Sequence, residues 1–203
     1  MESGNKIYFY PLWLRVWHGV NALGIILLII SGYLMQSGSA GNSFHLIVNS
    51  HNIAGIIVTL NYLGYLLVNA FTSNKKYYFV KPKNFLKRPM KQAYYYAWGM
   101  FQGMKPPYPL SENRKFNPLQ KYTYLAVMYL FVPIVIITGF GLLFPEIIIE
   151  EVYSISGIMF TAVAHSAMGF FISIFLVVHI YISSIGKRPK ENFKSIITGW
   201  HHV

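Results

Sequence analysis

The chain has 203 residues, of which 54% are hydrophobic and only 11% are charged. Soluble domains usually carry about 25% charged residues, so this composition excludes an ordinary soluble fold and indicates a membrane protein. The sequence contains no cysteine. That absence excludes disulfides, iron–sulfur clusters, covalently attached c-type haem and thiol catalysis within this chain.

Four long apolar stretches are predicted to cross a membrane as helices, because about 20 apolar residues are needed to span its hydrocarbon core. They run from about residue 14 to 35, 48 to 71, 121 to 144 and 161 to 186. We therefore expect an all-α fold, an integral-membrane four-helix bundle that forms a single domain over residues 1–203.

All 17 lysine and arginine residues fall on one side of the predicted spans. They flank the start of span one, fill the connector at residues 72–120 and follow span four. Short loops rich in Lys and Arg stay in the cytoplasm, so both termini are predicted to be cytoplasmic. The formal net charge of +11 then indicates topology and attraction to anionic lipid head groups, not nucleic-acid binding.

The connector between spans two and three is predicted to contain an amphipathic segment that lies in the membrane interface. From Lys83 to Met104, aromatic and other apolar residues are interleaved with lysines. Pro89 is expected to bend this segment. A plain aromatic belt at the inner membrane surface is the alternative interpretation.

Span four carries two histidines, His165 and His179, in a stretch without any acid or base. At 100° per residue, a separation of 14 residues puts both rings on one face of the helix. They lie about 21 Å apart along the axis, so each is near one edge of a hydrocarbon core about 30 Å thick. Polar side chains at such depth are costly and usually functional.

The four membrane histidines form two pairs according to their predicted depth in the membrane. Span one runs outward and spans two and four run inward, so His18 and His179 share the cytoplasmic level, and His51 and His165 share the outer level. Two imidazole pairs at two depths, with no carboxylate inside a span, fit two bis-histidine b haems. Zinc or copper would need more ligands at one level, and a proton relay would need carboxylates at depth. The alternative is that these histidines serve packing or hydrogen bonding.

Several small or basic residues could support such cofactors. The glycines that could leave room for a flat macrocycle, or serve only close helix packing, are Gly32, Gly55, Gly139, Gly141 and Gly169. Pro133 is expected to kink span three. Arg15 and Lys121, at the cytoplasmic edge, could pair with the propionates of the inner haem or act only as membrane anchors.

The chain resembles the bacterial di-haem cytochrome b membrane anchors. The matching stretches are RVWHGVNALG in span one, HNIAG in span two, NPLQKYTYL leading into span three and HSAMGFFISIFLVVHIYI in span four. This superfamily includes thiosulfate reductase cytochrome b subunits, the b-type cytochromes of Ni,Fe-hydrogenases and the gamma subunit of the respiratory formate dehydrogenase. The resemblance implies four haem ligands, His18 and His179 for the inner haem and His51 and His165 for the outer one.

The resemblance also implies a quinone site just before span three. In the formate dehydrogenase gamma subunit, an Asn-x-Gly-Gln-Lys stretch helps to bind menaquinone beside the inner haem. The similar stretch here runs from Asn117 to Lys121, with Leu119 in place of the glycine. Asn117 is therefore a candidate menaquinone contact. Together with Pro118 it is also suited to cap the helix of span three.

The resemblance implies an electron-transfer subunit that anchors a respiratory oxidoreductase and is not its catalytic subunit. Its expected cofactors are two b haems, with menaquinone as substrate. Its expected partners are membrane lipid and a peripheral redox subunit, such as a multihaem cytochrome, an iron–sulfur protein or a molybdenum protein. The expected location is the bacterial cytoplasmic membrane. Two alternatives stay open: a haem-free membrane scaffold that recruits a partner, and a stand-alone superoxide:quinone oxidoreductase.

Overall fold

A computed structural model describes residues 6–78, 84–111, 114–152, 154–185 and 189–202. Within these residues, four helices are long and apolar enough to cross a membrane. They are Leu12–Gln36, Gly41–Phe71, Pro118–Leu143 and Gly157–Ser184. The all-α prediction with four spans is therefore confirmed, and each helix begins a few residues before its predicted start. Residue 186, the predicted end of span four, lies outside the described residues.

The first half of the chain contains strand β1 (Lys6–Tyr8), helix α1 (Leu12–Gln36) and helix α2 (Phe44–Phe71). Short 3-10 turns precede and follow α2, at Gly41–Ser43 and Ser73–Tyr77. The connector contains helix α3 (Lys87–Tyr94), which continues into a π turn at Tyr95–Gly99.

Span three consists of α4 (Pro118–Ala126), a π turn at Val127–Phe131 and α5 (Val132–Leu143). A 3-10 turn at Pro145–Ile147 and a hairpin of β2 (Glu151–Val152) and β3 (Ile155–Ser156) lead into α6 (Gly157–Ser184). Helix α7 (Pro189–Thr198) and strand β4 (Trp200–His202) complete the described chain.

The outsides of the long helices are apolar. Leu23, Leu60 and Ile137 are 75%, 64% and 70% exposed. In water, each such side chain would carry a free-energy penalty of roughly 25 cal/mol for every Å² of apolar surface left exposed. In a hydrocarbon layer that penalty is absent, so these surfaces suit helices that lie in lipid.

A π turn interrupts span three shortly before Pro133. Proline has no N–H to donate to the carbonyl four residues earlier, and its ring crowds that turn of the helix. The widened turn Val127–Phe131 lies directly before it. Such turns absorb a break in the hydrogen-bond ladder and separate two α-helical segments. The expected kink of span three at Pro133 stays a prediction.

The described residues form two compact units. The terminal unit contains the described residues of 1–15, 69–128 and 175–203, and the central unit contains those of 16–68 and 129–174. The expectation of one membrane domain over residues 1–203 stays a prediction.

In the terminal unit, the two ends of the described chain pair with each other. Strands β1 and β4 are antiparallel, with Lys6 opposite His202 and Tyr8 opposite Trp200. Gly199, at a φ of +89°, makes the turn from α7 into β4, a backbone conformation that glycine adopts without steric cost. Both ends of the described chain therefore lie side by side.

The connector differs from its prediction at Pro89. Helix α3 begins at Lys87, and Pro89 lies in its first turn, where the missing N–H has no partner to lose. Pro89 therefore helps to begin a helix and does not bend one. Met90, Tyr94 and Trp98, spaced four residues apart, are 67%, 58% and 58% exposed. The predicted interfacial segment begins at residue 83, which lies outside the described residues, and its place in the membrane interface stays a prediction.

Candidate cofactor site

His51 and His165 face each other in the central unit. His51 lies near the beginning of α2 and His165 near the beginning of α6, and both are half-buried. Their ring centroids are 6.3 Å apart, and the ring planes cross at 66°. The structure thus brings together two of the four histidines that the sequence singles out.

The separation of these rings fits one metal ion shared between two imidazoles. A histidine nitrogen binds a metal at about 2.0–2.1 Å, so two imidazoles that share one ion would have ring centres roughly 6 Å apart. The observed 6.3 Å agrees with this arrangement. Bis-imidazole ligation from two sides is the mode that a b haem uses.

A serine hydroxyl fixes the protonation of His51. Ser31 Oγ donates its proton to the carbonyl oxygen of Leu27 at 2.6 Å, and it lies 2.8 Å from His51 Nδ1. A hydroxyl has a single proton, so Ser31 accepts its second bond from Nδ1–H of the imidazole. We therefore assign the proton of His51 to Nδ1. The lone pair is then on Nε2, the nitrogen left for a metal.

A threonine hydroxyl does the same for His165. Thr138 Oγ1 donates to the carbonyl oxygen of Ile134 at 2.6 Å and lies 3.1 Å from His165 Nδ1. By the same accounting of protons, Nδ1 of His165 is the donor and Nε2 carries the lone pair. Both imidazoles are therefore held in the tautomer that metal ligation requires.

A glycine follows each of these hydroxyl residues and lies against the imidazole. A Cβ atom on Gly139 would lie 3.1 Å from Cε1 of His165, tighter than an ordinary contact, so Gly139 makes room for that ring. A Cβ atom on Gly32 would lie 3.5 Å from Cε1 of His51, which is an ordinary contact. Room for a macrocycle at either glycine stays a prediction.

The other glycines of the spans differ in their surroundings. A Cβ on Gly141 would lie 3.3 Å from Thr161, a tight contact that indicates close packing, whereas one on Gly55 would lie 3.9 Å from Leu28, an ordinary contact. A Cβ on Gly169, four residues after His165, would have nothing within 4 Å. Gly169 is thus a position of α6 at which space is open beside a candidate ligand.

Sequence reasoning missed Ser31 and Thr138. The signal that could have found them is a hydroxyl residue directly followed by glycine inside an apolar span, Ser31–Gly32 in span one and Thr138–Gly139 in span three. The hydroxyl of each pair supplies a hydrogen-bond acceptor for an imidazole on a neighbouring helix, and Gly139 also leaves room for the ring of His165.

His18 and His179 lie in the helices of spans one and four. His18 is in the second turn of α1, and His179 is in the last two turns of α6. The ring of His179 stacks on Phe175, with centroids 5.7 Å apart, and its centroid is 6.4 Å from that of Tyr124. The pairing of His18 with His179 stays a prediction.

Asn117 caps the helix of span three. Its Oδ1 accepts a hydrogen bond from the Gln120 amide at 2.9 Å, and its own amide donates to Gln120 Oε1 at 3.0 Å. This reciprocal pair is a capping box, and Pro118 occupies the first turn that follows. The capping role expected from the sequence is confirmed.

The side-chain amide of Asn117 also meets a tyrosine that the sequence did not single out. Asn117 Nδ2 donates to the hydroxyl oxygen of Tyr96 at 2.8 Å. Gln92, one turn earlier in the connector, is 2% exposed and also bonds to this hydroxyl, while its Oε1 has no partner among the described residues. Burial raises the pKa of Tyr96, so its hydroxyl keeps its proton at neutral pH. Three buried or half-buried polar groups therefore converge at the beginning of α4.

Arg15 contacts the end of α7. Its Nη1 donates to the carbonyl oxygen of Thr198 at 3.4 Å. The last carbonyls of a helix carry partial negative charge, which favours a cation at this place. Arg15 Nε is buried and has no hydrogen-bond partner among the described residues. The role of Arg15 toward a haem propionate stays a prediction.

Comparison with known proteins gives the family. The profile of the prokaryotic cytochrome b561 family matches residues 9–199. The chain belongs to this family. It is therefore a multi-pass bacterial membrane protein that carries b-type haem and transfers electrons. This finding agrees with the resemblance stated from the sequence and argues against the alternative of a haem-free membrane scaffold.

Individual relatives extend the comparison. The chain is 33% identical over 202 residues to a protein of Escherichia coli (strain K12) named as cytochrome YdhU, with 98% of this chain and 76% of that protein covered. It is 30% identical to proteins of Rhodobacter capsulatus and Bradyrhizobium diazoefficiens named as Ni/Fe-hydrogenase B-type cytochrome subunits, over 68% and 67% of this chain. It spans only 55% and 57% of the length of these two. No solved structure matches the chain.

Substitution of Ser31 by alanine tests the hydroxyl that holds His51. Ser31→Ala is expected to weaken retention of the haem at His51 about 10- to 100-fold, the usual effect of losing a hydrogen bond that orients a metal ligand. The haem that stays bound is expected to have a higher reduction potential, because an imidazole that no longer donates from Nδ1 is a weaker ligand for ferric iron. Haem content after extensive washing and a potentiometric titration measure both effects.

Ser50→Ala is the matched control, because the Ser50 hydroxyl is next to His51 in sequence but bonds to the Leu46 carbonyl at 2.8 Å. This variant is expected to behave as the unmodified protein. Equal haem retention and equal potentials in Ser31→Ala and Ser50→Ala would contradict the assigned role of Ser31.

Proposed function

We propose that this cytochrome binds two b haems, one ligated by His51 and His165 and one ligated by His18 and His179, and that it carries electrons between menaquinone and a partner redox subunit. One observation carries the proposal. The His51 and His165 imidazoles face each other at 6.3 Å, and a hydroxyl binds Nδ1 of each ring. Nε2 of both rings is thereby left for iron.

The second haem is inferred from the placement of the histidines along the chain. His179 lies on the same face of α6 as His165, four helical turns further on. His18 is in the second turn of α1. In the predicted topology, the beginning of α1 and the end of α6 are both on the cytoplasmic side of the membrane. Pairing His18 with His179 therefore gives a second bis-imidazole site, one level nearer the cytoplasm than the first.

A b haem supplies a one-electron carrier, because its iron alternates between the ferric and ferrous states. The residues of the chain determine how such carriers behave. The imidazoles would hold the iron, and the hydroxyls of Ser31 and Thr138, which lie at hydrogen-bond distance from Nδ1 of each ring, would orient the rings and strengthen their donation to it. The apolar faces of the spans exclude water. Two such carriers at two depths would take electrons across the membrane.

Menaquinone is proposed to react at the beginning of span three. Asn117 is the position that matches the menaquinone-binding stretch of the formate dehydrogenase gamma subunit. Its neighbours Tyr96 and Gln92 provide further donors and an unused acceptor, and a quinone or quinol headgroup needs both. Tyr124, two turns after Asn117, has its ring 6.4 Å from that of His179. The polar cluster and this proposed ligand thus belong to the same part of the terminal unit.

The proposed location is the bacterial cytoplasmic membrane, with both termini in the cytoplasm. The pairing of β1 with β4 holds the two ends of the described chain together, which is consistent with an even number of spans. The one-sided distribution of 17 bases supports a cytoplasmic position for those ends. The exposed face of α3, with Met90, Tyr94 and Trp98 beside Lys87 and Lys91, is proposed to lie in the inner interface against anionic lipid.

The partner is proposed to be a peripheral redox subunit that exchanges electrons with one of the two haems. The relatives from Rhodobacter capsulatus and Bradyrhizobium diazoefficiens are named as subunits of a Ni/Fe-hydrogenase, which is a precedent for a cytochrome of this family working with a separate redox enzyme. By this analogy the chain supplies the membrane step, and the partner supplies the substrate chemistry.

Single substitutions of the proposed ligands test the two sites separately. His51→Ala and His179→Ala are each expected to lower the haem content from two to one per chain, because one axial imidazole of one site is lost. The remaining haem should have a different reduced-minus-oxidised spectrum and potential in the two variants. His45→Ala, at an exposed position near the beginning of α2, is the control and should retain both haems. Retention of both haems in His179→Ala would contradict the inner assignment.

Asn117→Ser separates capping from quinone binding, because serine preserves an oxygen acceptor at the helix cap but removes the Nδ2 donor. Loss of one hydrogen bond to a neutral headgroup should slow reduction of the cytochrome by menaquinol about three- to tenfold. The haem spectra should stay unchanged, and the free energy of unfolding should fall by only about 1 kcal/mol, for the lost hydrogen bond to Tyr96. A menaquinol reduction rate equal to that of the unmodified protein would show that Asn117 only caps the helix.

A further inference from the structure

Lys115 is a basic residue whose side chain is buried. It is 2% exposed, although it lies in the hydrophilic connector just before span three. Its Nζ is 4.5 Å from the ring centroid of Tyr10, 5.5 Å from that of Tyr77 and 5.4 Å from that of Phe116. Its Nζ donates a hydrogen bond to Oδ1 of Asn74, at 3.4 Å. Among the described residues, no carboxylate pairs with it.

These surroundings balance the charged and neutral forms of the amine. Burial without an anion disfavours the ammonium, while three aromatic faces and an amide oxygen favour it. The Asn74 oxygen is held in place because Asn74 Nδ2 donates to Asn69 Oδ1 at 2.9 Å. Burial lowers the pKa of Lys115 to about 7. Lys115 is thus charged or neutral according to small changes in its surroundings.

Among the described residues, the side chains that face Lys115 are aromatic rings and one amide. Burial, and next the nearby Tyr78, raise the pKa of Tyr10 to about 12, so Tyr10 stays neutral. Tyr77 and Asn74 bring no acid to the site. The other base that contacts this cluster is Lys76, whose Nζ lies 5.0 Å from the Tyr77 centroid and whose side chain is exposed to solvent. Lys115 is therefore the group in this cluster whose charge can respond.

A line of aromatic contacts joins Lys115 to His179 inside the terminal unit. Phe116 lies against the Lys115 ammonium, and its ring centroid is 5.0 Å from that of Tyr124. The Tyr124 centroid is in turn 6.4 Å from that of His179. Water is largely excluded from such surroundings, so a change of charge at one end is screened much less than at a solvated surface.

We propose that Lys115 is a proton-binding site coupled to the electron on the haem that His179 ligates, an inference that rests on the proposed function. When one electron reaches that haem, the neutral amine of Lys115 takes up one proton from the cytoplasm and becomes an ammonium. When the electron leaves, the N–H bond breaks and the proton returns. The electron comes from a quinol or from the partner redox subunit, so one electron and one proton balance.

The direction of the coupling follows from charge. A ferrous haem is less positive than a ferric one, so it favours the ammonium form of Lys115. Equally, the ammonium form favours the ferrous haem and raises its reduction potential. The potential should therefore be highest at acid pH, where Lys115 is charged, and should fall as the pH rises through neutrality.

Two substitutions fix the two charge states. Lys115→Met removes the charge and keeps the length of the side chain, and a buried neutral thioether is expected to be tolerated. Lys115→Arg keeps a charge at every accessible pH. Anaerobic potentiometric titrations of the purified, haem-loaded protein over about pH 5.5 to 9 give the potential of each haem, with dithionite as reductant.

In the unmodified protein, the potential of the haem at His179 should fall with rising pH. In Lys115→Met it should be lower at acid pH, and in Lys115→Arg it should be higher at alkaline pH. The pH slope should be reduced in both. The other haem should change little, and Lys76→Met, the exposed neighbour on the same Tyr77 ring, should match the unmodified protein.

Two results overturn the inference in distinguishable ways. An unmodified protein that lacks the haem at His179 would overturn the proposed function, and the inference with it. The inference alone would be overturned if the unmodified protein holds this haem and the pH slope of its reduction potential is unchanged in Lys115→Met and in Lys115→Arg. If Lys115→Met fails to fold, the pH slope of the potential in Lys115→Arg is compared with that in the unmodified protein, and equal slopes overturn the inference.

Discussion

An imidazole inside a packed apolar helix assembly must find a hydrogen-bond partner, and the arrangement of the central unit depends on this constraint. Leaving such a group unpaired costs about 1–3 kcal/mol. Ser31 and Thr138 meet the need of His51 and His165 from neighbouring spans. Each hydroxyl has already given its proton to a carbonyl of its own helix, so the backbone of one span decides the tautomer of a histidine on another. The same bonds that stabilise the packing therefore prepare the imidazoles for iron.

Polar groups in the terminal unit are handled in another way. Asn117 is bound by its own helix cap and by Tyr96, and Lys115 is surrounded by rings and one amide. Within the described part of the chain, neither has a carboxylate as partner. Such a buried base and set of donors are the features on which the proposed exchange of protons with electrons rests. The central unit, by contrast, offers neutral hydroxyls and apolar surface, which suit electron transfer without a proton.

The sequence predicts the spans because the thickness of a bilayer dictates the length of an apolar helix, and nothing else in the chain meets that length. It predicts the pairing of His51 with His165 because both lie near the beginning of spans that run the same way. It does not reveal Ser31 or Thr138 as partners, since a hydroxyl in a span ordinarily bonds only to its own helix. From the sequence, Lys115 is one of the bases that indicate topology. Its burial is not predictable there, because it depends on Tyr10 and Tyr77, which are remote from it in sequence. The sequence predicts a bend at Pro89 because it does not show where the helix begins. A proline in the first turn of a helix does not bend it, and Pro89 lies in the first turn of α3.

The central claim is that one chain of this cytochrome holds two b haems. A pyridine haemochrome assay on the purified, unmodified protein, combined with an accurate protein concentration, measures it most directly. The account predicts two b haems per chain and a reduced-minus-oxidised spectrum with two components. One haem per chain would contradict it, because a single histidine pair would then be a ligand set and the second pair would serve only packing.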